Sequence, residues 1–318
     1  MKFIHFGCWN NGLCAPDQDN GLTKMTRLLN KYVSQPENKD NIEFITVAGD
    51  NYYPSKITKE DKEKEEDKEK KIKIFDKKHF VSGFKCLPKN IKKYILFGNH
   101  EIEDNVIDNL HEKYNKDSTY KKLKPLVESC KSLILQTTNK DSIFDTSYKF
   151  FNDVITITHN QTLIIMFDTT IYTFKDENYL KKINETCYKH LFKNNTELNE
   201  DSTIQNLMEY QEEKIKEAIR LNSTCTNIIF IGHHPIISKV YKEITNKDNT
   251  TEKKNVSDFN SKMITFFTFF NSMPESLNKK TIYYLCADTH FYQQSEVIIN
   301  NKLTIHQYIV GTGGADKY

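Results

Sequence analysis

Five short apolar runs recur along the chain: KFIHF from Lys2, IEFITVA from Ile42, KKYILF from Lys92, TNIIFI from Thr226 and TIYYLC from Thr281. Their lengths and their β-branched and aromatic residues predict buried strands. Each run stops in the same way, at a small residue (Gly7, Gly49, Gly98, Gly232 or Ala287) followed by polar side chains with donor atoms. A glycine there lets the backbone turn sharply, so that the next side chain leaves the sheet at a strand tip. Helical spacing fills the gaps. Leu22, Met25, Leu28, Leu29 and Val33 form one stripe, Leu207, Gln211, Ile215 and Ile219 share a second helical face, and Phe259 to Met273 reads as a buried helix. Strands alternating with helices predict an α/β fold with parallel units joined by right-handed crossovers.

The remaining segments carry other patterns. Phe144 to Asp168 alternates like two strands, with Asp168 read as a structural residue at the end of the second. Lys56 to Lys78 mixes charges of both signs at helix-favouring spacing and predicts a solvated helix; residues 105–142, rich in Lys, read as mostly helical. Ser238 to Ser257 is polar and predicts a loop beside the site, able to cover substrate. No repeat or proline-rich linker divides the chain, and the polar clusters run from residue 8 to residue 290. Residues 1–318 are therefore expected to form one domain closed around one site.

Composition narrows the function more than the fold. Of 318 residues, 45 are Lys or Arg and 43 are Asp or Glu, a net charge of +2. That balance gives no reason to expect nucleic acid or an anionic membrane as partner. No apolar run approaches the ~20 residues of a membrane span, and Met1 is followed at once by the first strand, so a cytoplasmic protein is expected. The 7 cysteines (Cys8, Cys14, Cys86, Cys130, Cys187, Cys225 and Cys286) show no paired spacing. An odd number in that compartment favours free thiols, and the sequons at Asn160, Asn194 and Asn222 are then chance matches.

Carboxyl ends of strands in an open α/β sheet share one edge, where ligands bind. The five runs would gather Cys8, Asp50, Asn99, His100, His233, His234, Asp288 and His290 there. Imidazole, carboxylate, amide oxygen and thiol together suit a transition-metal centre far better than an apolar pocket.

GDNYY, GNHE and GHHP, in this order and on strand ends, resemble the calcineurin-like metallophosphoesterase superfamily. Tyr53, close after Asp50, and the Trp9 motif GCWNNG resemble more narrowly the small purple acid phosphatases, whose motifs read GDNFY and GDWG. The resemblance extends from Phe3 to about Gly314. It implies a four-layer α/β/β/α sandwich of two mixed sheets and a centre of two divalent or trivalent metal ions, Fe, Zn or Mn. It also implies a metal-dependent phosphoesterase that hydrolyses phosphomonoesters through a metal-bound hydroxide, acting on a small phosphorylated substrate or a phosphoprotein. By position, Asp50 matches the carboxylate that bridges both metals, Tyr53 the phenolate on the first metal and His290 that metal's imidazole. Asn99 and His233 match two ligands of the second. His100 matches the catalytic histidine that faces the phosphate. His234, the other candidate catalytic group, either faces substrate or packs under the strand.

Two positions depart from the family pattern. Cys8 stands where the family has the Asp of GDWG, and Asp288 stands where it has the first His of GHxH, written here as ADTH. Both can still donate to a metal: a thiolate favours Zn²⁺ over harder ions, and Asp288 adds negative charge beside the second metal, which weakens attraction for a phosphate dianion. Alternatively, Cys8 is a buried small residue and the site is degenerate, leaving an impaired pseudo-phosphatase that acts as a binding or scaffold protein. A nuclease of the same superfamily is disfavoured by the near-neutral charge and by Tyr53. The stretch YIVGTGGADKY resembles the family's glycine-rich strand end, after which a shortened second half of the sandwich is expected.

Overall fold

All five apolar runs are strands in the computed structural model, which describes residues 1–10, 12–15, 17–51, 53, 77–102, 147–151, 153–173, 203–245, 251–274 and 277–311. The first sheet takes β1 (Lys2–Phe6), β2 (Ile42–Ala48), β3 (Lys92–Leu96) and β4 (Tyr148–Phe150) in that order, parallel throughout. The second draws on β5 (Ile155–His159), β6 (Thr162–Met166) and β7 (Asn227–Ile231). An antiparallel ribbon of β8 (Ile237–Thr245) and β9 (Thr251–Phe259) intervenes, and β10 (Thr281–Cys286), β11 (Tyr292–Ile299) and β12 (Leu303–Val310) return to the sheet. Its order is β11-β12-β10-β7-β6-β5, the four inner strands parallel and the two edge strands antiparallel.

The alternation of side chains along each strand decides the layers. On β2, Phe44 and Ala48 share a buried cluster with Tyr94 and Leu96 of β3 and with Ile164, Met166 and Ile231 of the second sheet. The two sheets therefore pack face to face. Ile45 and Val47 belong to the other side, clustered with Leu22 and Leu29 of α1 (Gly21–Val33) and with Phe80 and Phe84 of α2 (Lys77–Lys85). A short α3 (Asn99–Ile102) opens just beyond β3. Outside the second sheet, α4 (Ile204–Leu221) contributes Leu207, Ile215 and Ile219, while Phe266 and Phe267 of α5 (Ser261–Asn271) pack on Phe167, Phe230 and Tyr284. Helix, sheet, sheet and helix stack in four layers. Each fully buried Phe here, such as Phe230 or Phe267, stabilises this packing by about 1.5–3 kcal/mol relative to exposure.

Several expectations change. The smaller sheet is parallel, not mixed, because β1–β2 and β2–β3 are joined by long segments carrying α1 and α2, and such crossovers give parallel neighbours. Phe144 to Asp168 holds three strands rather than two, since its alternating pattern is divided between two sheets. Ser238 to Ser257 is mostly the β8–β9 ribbon, not a loop. That ribbon belongs to neither core sheet, so its strands are defined by a backbone ladder and leave no apolar period to read.

The cysteines are the fourth change: Cys14 and Cys86 form a disulfide across 72 positions of sequence. The loop after β1 docks on α2, with Asn10 Nδ2 donating to the Phe80 carbonyl (2.8 Å) and the Cys14 amide to Ser82 Oγ (2.7 Å). Docking brings together two residues whose spacing carries no signal. Cys8, Cys225 and Cys286 are free and buried. Cys130, Cys187, residues 105–142 and most of Lys56 to Lys78 lie outside the described residues. Among the described residues no helix is long and apolar enough to cross a membrane.

Candidate metal centre

Parallel register sets the strand tips level. Phe6 pairs with Val47 and Val47 with Ile95 in one sheet, and Ile231 pairs with Leu285 in the other. The tips are tied together where the strands end: the Cys8 amide donates to the Gly49 carbonyl (3.2 Å) and the Ala287 amide to the His233 carbonyl (2.9 Å). Gly49 has φ +80°, the left-handed region that side chains avoid. Gly98 is required for space, since a Cβ there would run into Asp50 Oδ1 and meet His233 Cε1 at 2.8 Å. The tip of β3 thus lies flush against both side chains.

Every candidate from the sequence arrives at this edge. Asp50, buried at 1 % exposure, turns its two oxygens to different neighbours. Oδ2 accepts from Tyr53 OH (3.2 Å) and from Cys8 Sγ (3.5 Å), and the Tyr53 oxygen lies 3.1 Å from His290 Nε2. Oδ1 lies 3.2 Å from His233 Nε2 and accepts from the His100 amide at 3.3 Å. His233 Nε2 is also 2.9 Å from Asn99 Oδ1 and 3.7 Å from Asp288 Oδ1. Two groups of donors result, Cys8 with Asp50 and His290, and His233 with His234 and Asp288, the donor atoms of each lying within 4.8 Å of one another. His100 stands beside them, its ring 4.6 Å from that of Tyr53.

These separations fit metal ions. Bonds of about 2.0–2.2 Å in tetrahedral or octahedral geometry place neighbouring donors roughly 2.8–3.6 Å apart, the range in which the Asp50, Tyr53, His290, His233 and Asn99 atoms already stand. Second contacts point the same way. The Ala48 carbonyl accepts from His233 Nδ1 (2.6 Å), which leaves Nε2, facing Asp50 and Asn99, as the nitrogen open to a metal once its proton is displaced; a ligating histidine is oriented in this manner.

Electrostatics show how tightly the charges are matched. Burial alone would raise the Asp50 carboxyl, but the charge and hydrogen bond of His233, with His100, hold it well below the usual range. Burial works against a charge on His233 too, and Asp50 overrides it, raising His233 to about 10. Burial pushes the Cys8 thiol up, and Asp50 and Asp288 push it further. Desolvation likewise raises Asp288, opposed by His233 and reinforced by Asp50.

Three supporting residues escaped sequence reasoning. Glu101 accepts from the amides of Gly98 (2.6 Å) and Asp50 (3.1 Å), bracing two tips at once, and burial followed by repulsion from Asp50 raises it to about 8. Its signal was the last letter of GNHE. Asn51 accepts from Trp9 Nε1 (3.1 Å) and donates to the Leu96 carbonyl (2.6 Å). Thr169, after β6, accepts from the amides of His233 and His234. Asp168 beside it is structural as read, accepting from the Thr170 amide at 2.8 Å.

The family model for calcineurin-like phosphoesterases matches residues 1–263. No curated protein matches the sequence. Among solved structures, purple acid phosphatase PPD1 from yellow lupin (Lupinus luteus) seeds is similar at a TM-score of 0.44 and 12% identity, over 98% of this chain and 44% of that one. This chain therefore spans less than half the length of that protein. The family and the donor set together support a metal-dependent phosphoesterase. With the match running from the first strand past the GHHP tip, the chain belongs to the calcineurin-like phosphoesterase family.

Proposed function

We propose that this chain hydrolyses phosphomonoesters, of a small molecule or a phosphoprotein, at the strand-tip centre. The observation that carries this reading is the Asp50 carboxylate, whose two oxygens face two separate donor groups as a bridging ligand must. Cys8, Tyr53 and His290 would hold one ion with Asp50, and Asn99, His233 and Asp288 the other. Ions bound there supply Lewis-acid polarisation of a phosphoryl oxygen and acidify a coordinated water. The protein's own part is placement. His100 is fixed by its amide on Asp50 Oδ1, and its side chain is 24% exposed, so the accessible part of its imidazole can donate a hydrogen bond or a proton to an oxygen of the bound phosphate.

Metal analysis of the purified protein, paired with release of phosphate from a generic aryl phosphate, tests the reading. Two ions per chain and slow, metal-dependent turnover are expected, with turnover lost in Asp50→Ala. Turnover that survives this substitution would put the chemistry elsewhere. The Cys8 position favours a second reading: burial and two carboxylates oppose ionisation of this thiol, so an ion must displace its proton to be held there, and a site short of one ion would suit a protein that binds without turnover. One ion or none, with no phosphate released, would select that reading.

A further inference from the structure

Thr169 closes a set of hydrogen bonds that determines which nitrogen of His234 carries a proton. The residue is fully buried. Its Oγ1 accepts from two backbone amides, those of His233 and His234, each at 3.0 Å. A hydroxyl has two lone pairs and one hydrogen, so both acceptor places are taken and only the hydrogen remains to give. His234 Nδ1 lies 3.1 Å away. An N–H at that nitrogen would face an oxygen with no lone pair left. Nδ1 is therefore the acceptor, and the proton of the neutral ring sits on Nε2. Tyr284, which gives its own hydrogen to the His234 carbonyl, also hydrogen-bonds Thr169, and whether its oxygen or His234 Nδ1 takes the Thr169 hydrogen, an N–H at Nδ1 would still find no free lone pair there.

His233, the preceding residue, is wired the opposite way, because its Nδ1 meets a carbonyl, a pure acceptor. Adjacent histidines on one strand tip are thus held differently: with the Nδ1 proton of His233 fixed on a carbonyl, Nε2 is the nitrogen that can give up its proton to a metal, whereas His234 keeps its proton on Nε2. The difference matters because His234 lies within 4.8 Å of donor atoms of His233 and Asp288, close enough for a third ligand to the same ion. Its Nε2 makes no hydrogen bond among the described residues.

We propose that Thr169 is a positioning residue that holds His234 as the neutral Nε2–H tautomer, so that His234 donates a hydrogen bond to a phosphoryl oxygen instead of ligating metal. The identity of that acceptor rests on the phosphoesterase reading; the tautomer rests on the hydrogen-bond inventory alone.

Long-range ¹H–¹⁵N correlation spectra of the metal-free protein, labelled at histidine, read the tautomer directly. His234 is expected to show a protonated Nε2 and a bare Nδ1, unchanged when Zn²⁺ is added, while the His233 Nε2 signal moves. A proton on Nδ1 of His234, or loss of its Nε2 proton on zinc addition, overturns the inference. Thr169→Val should mix the two tautomers and weaken binding of inorganic phosphate to the zinc-loaded protein roughly tenfold, as loss of one hydrogen bond to a charged group does. Thr169→Ser should restore both. A folded Thr169→Val protein with one tautomer and wild-type phosphate affinity removes the positioning role, and if that variant does not fold the wild-type spectrum still decides. Wild-type protein that binds phosphate but carries the proton on Nδ1 sinks this inference alone. Zinc-loaded wild-type protein that binds no phosphate sinks the phosphoesterase reading, and with it the donor's target.

Discussion

Cys8, Asp50 and Asp288 have φ values of 51°, 51° and 59°, and backbone held in this left-handed region costs on the order of 1–3 kcal/mol per residue. Asp enters it several-fold more readily than most residues, whereas nothing in a cysteine side chain favours it. Cys8 therefore occupies a backbone conformation better suited to the aspartate found there in the resembled family. With ions bound, Cys8→Asp is expected to melt no lower than wild type, and its metal preference should shift from Zn²⁺ towards Mn²⁺, because an oxygen donor is harder than a thiolate. A lower melting temperature in the metal-loaded variant would refute the conformational argument. The cobalt-substituted wild-type protein should show a thiolate charge-transfer band that Cys8→Ser removes; two bound cobalt ions without the band would make Cys8 a spectator. Glu101 gives a residue-scale effect of another kind. Glu101→Ala leaves the Gly98 and Asp50 amides without their acceptor, at roughly 1–3 kcal/mol for each buried donor left unpaired. Urea unfolding of Glu101→Ala against Glu101→Gln, which keeps an acceptor oxygen, measures that loss. The strand-tip residues that meet at Asp50 were legible because motif letters name them. Glu101 and Thr169 were not, because they act on backbone amides that only the assembled tips bring within reach.

Strands were legible where one rule governed them. β2, β3, β7 and β10 are inner strands of packed sheets, covered on both faces, and such strands read as continuous apolar runs. β8 and β9 left no such trace, and β4, three residues long, could not be separated from its neighbours by period alone. β1 adds an element-scale effect. His5 pairs in register with Thr46 of β2, and its Nδ1 lies 2.9 Å from Thr46 Oγ1. The residue is half-buried overall, yet Nε2 is enclosed without a hydrogen-bond partner. Burial lowers its pKa from 6.5 to about 4, more than the nearby Cys286 carbonyl restores. Above pH 6.5 both folded and unfolded forms hold His5 neutral, and its contribution to stability is complete. Between 6.5 and about 4 the unfolded chain binds a proton that the folded one refuses, so stability falls as pH falls, by on the order of 1–3 kcal/mol. Urea midpoints at neutral and mildly acid pH should differ less in His5→Gln than in wild type. Equal losses in the two proteins would show that the pairing of β1 with β2 does not depend on this ring.

At the scale of the whole molecule, a covalent link joins the loop leading from the site to the outer helix layer. Cys14 follows the loop that carries Cys8, and Cys86 lies just after α2. With 72 positions between them, chain-entropy reasoning puts the effect of closing that loop at ~4 kcal/mol, less where the reduced form retains structure. The bond also bears on where the protein is at home, since such bonds persist in oxidising compartments, against the cytoplasmic expectation from the opening of the sequence. Alkylation of the native protein followed by non-reducing peptide mapping should find Cys14 and Cys86 joined, with the buried thiols modified only after unfolding. Reduction, or Cys86→Ser, should lower the melting temperature by several degrees. The same loop is pinned independently by Asn10 on Phe80 and by the Cys14 amide on Ser82, so the reduced protein should stay folded while Cys8 gains freedom. Metal held through Cys8 should then leave before the protein unfolds, and a chelator should strip one ion faster from the reduced form than from the oxidised form. Equal rates of stripping would mean that the link stabilises the fold without reaching the metal centre.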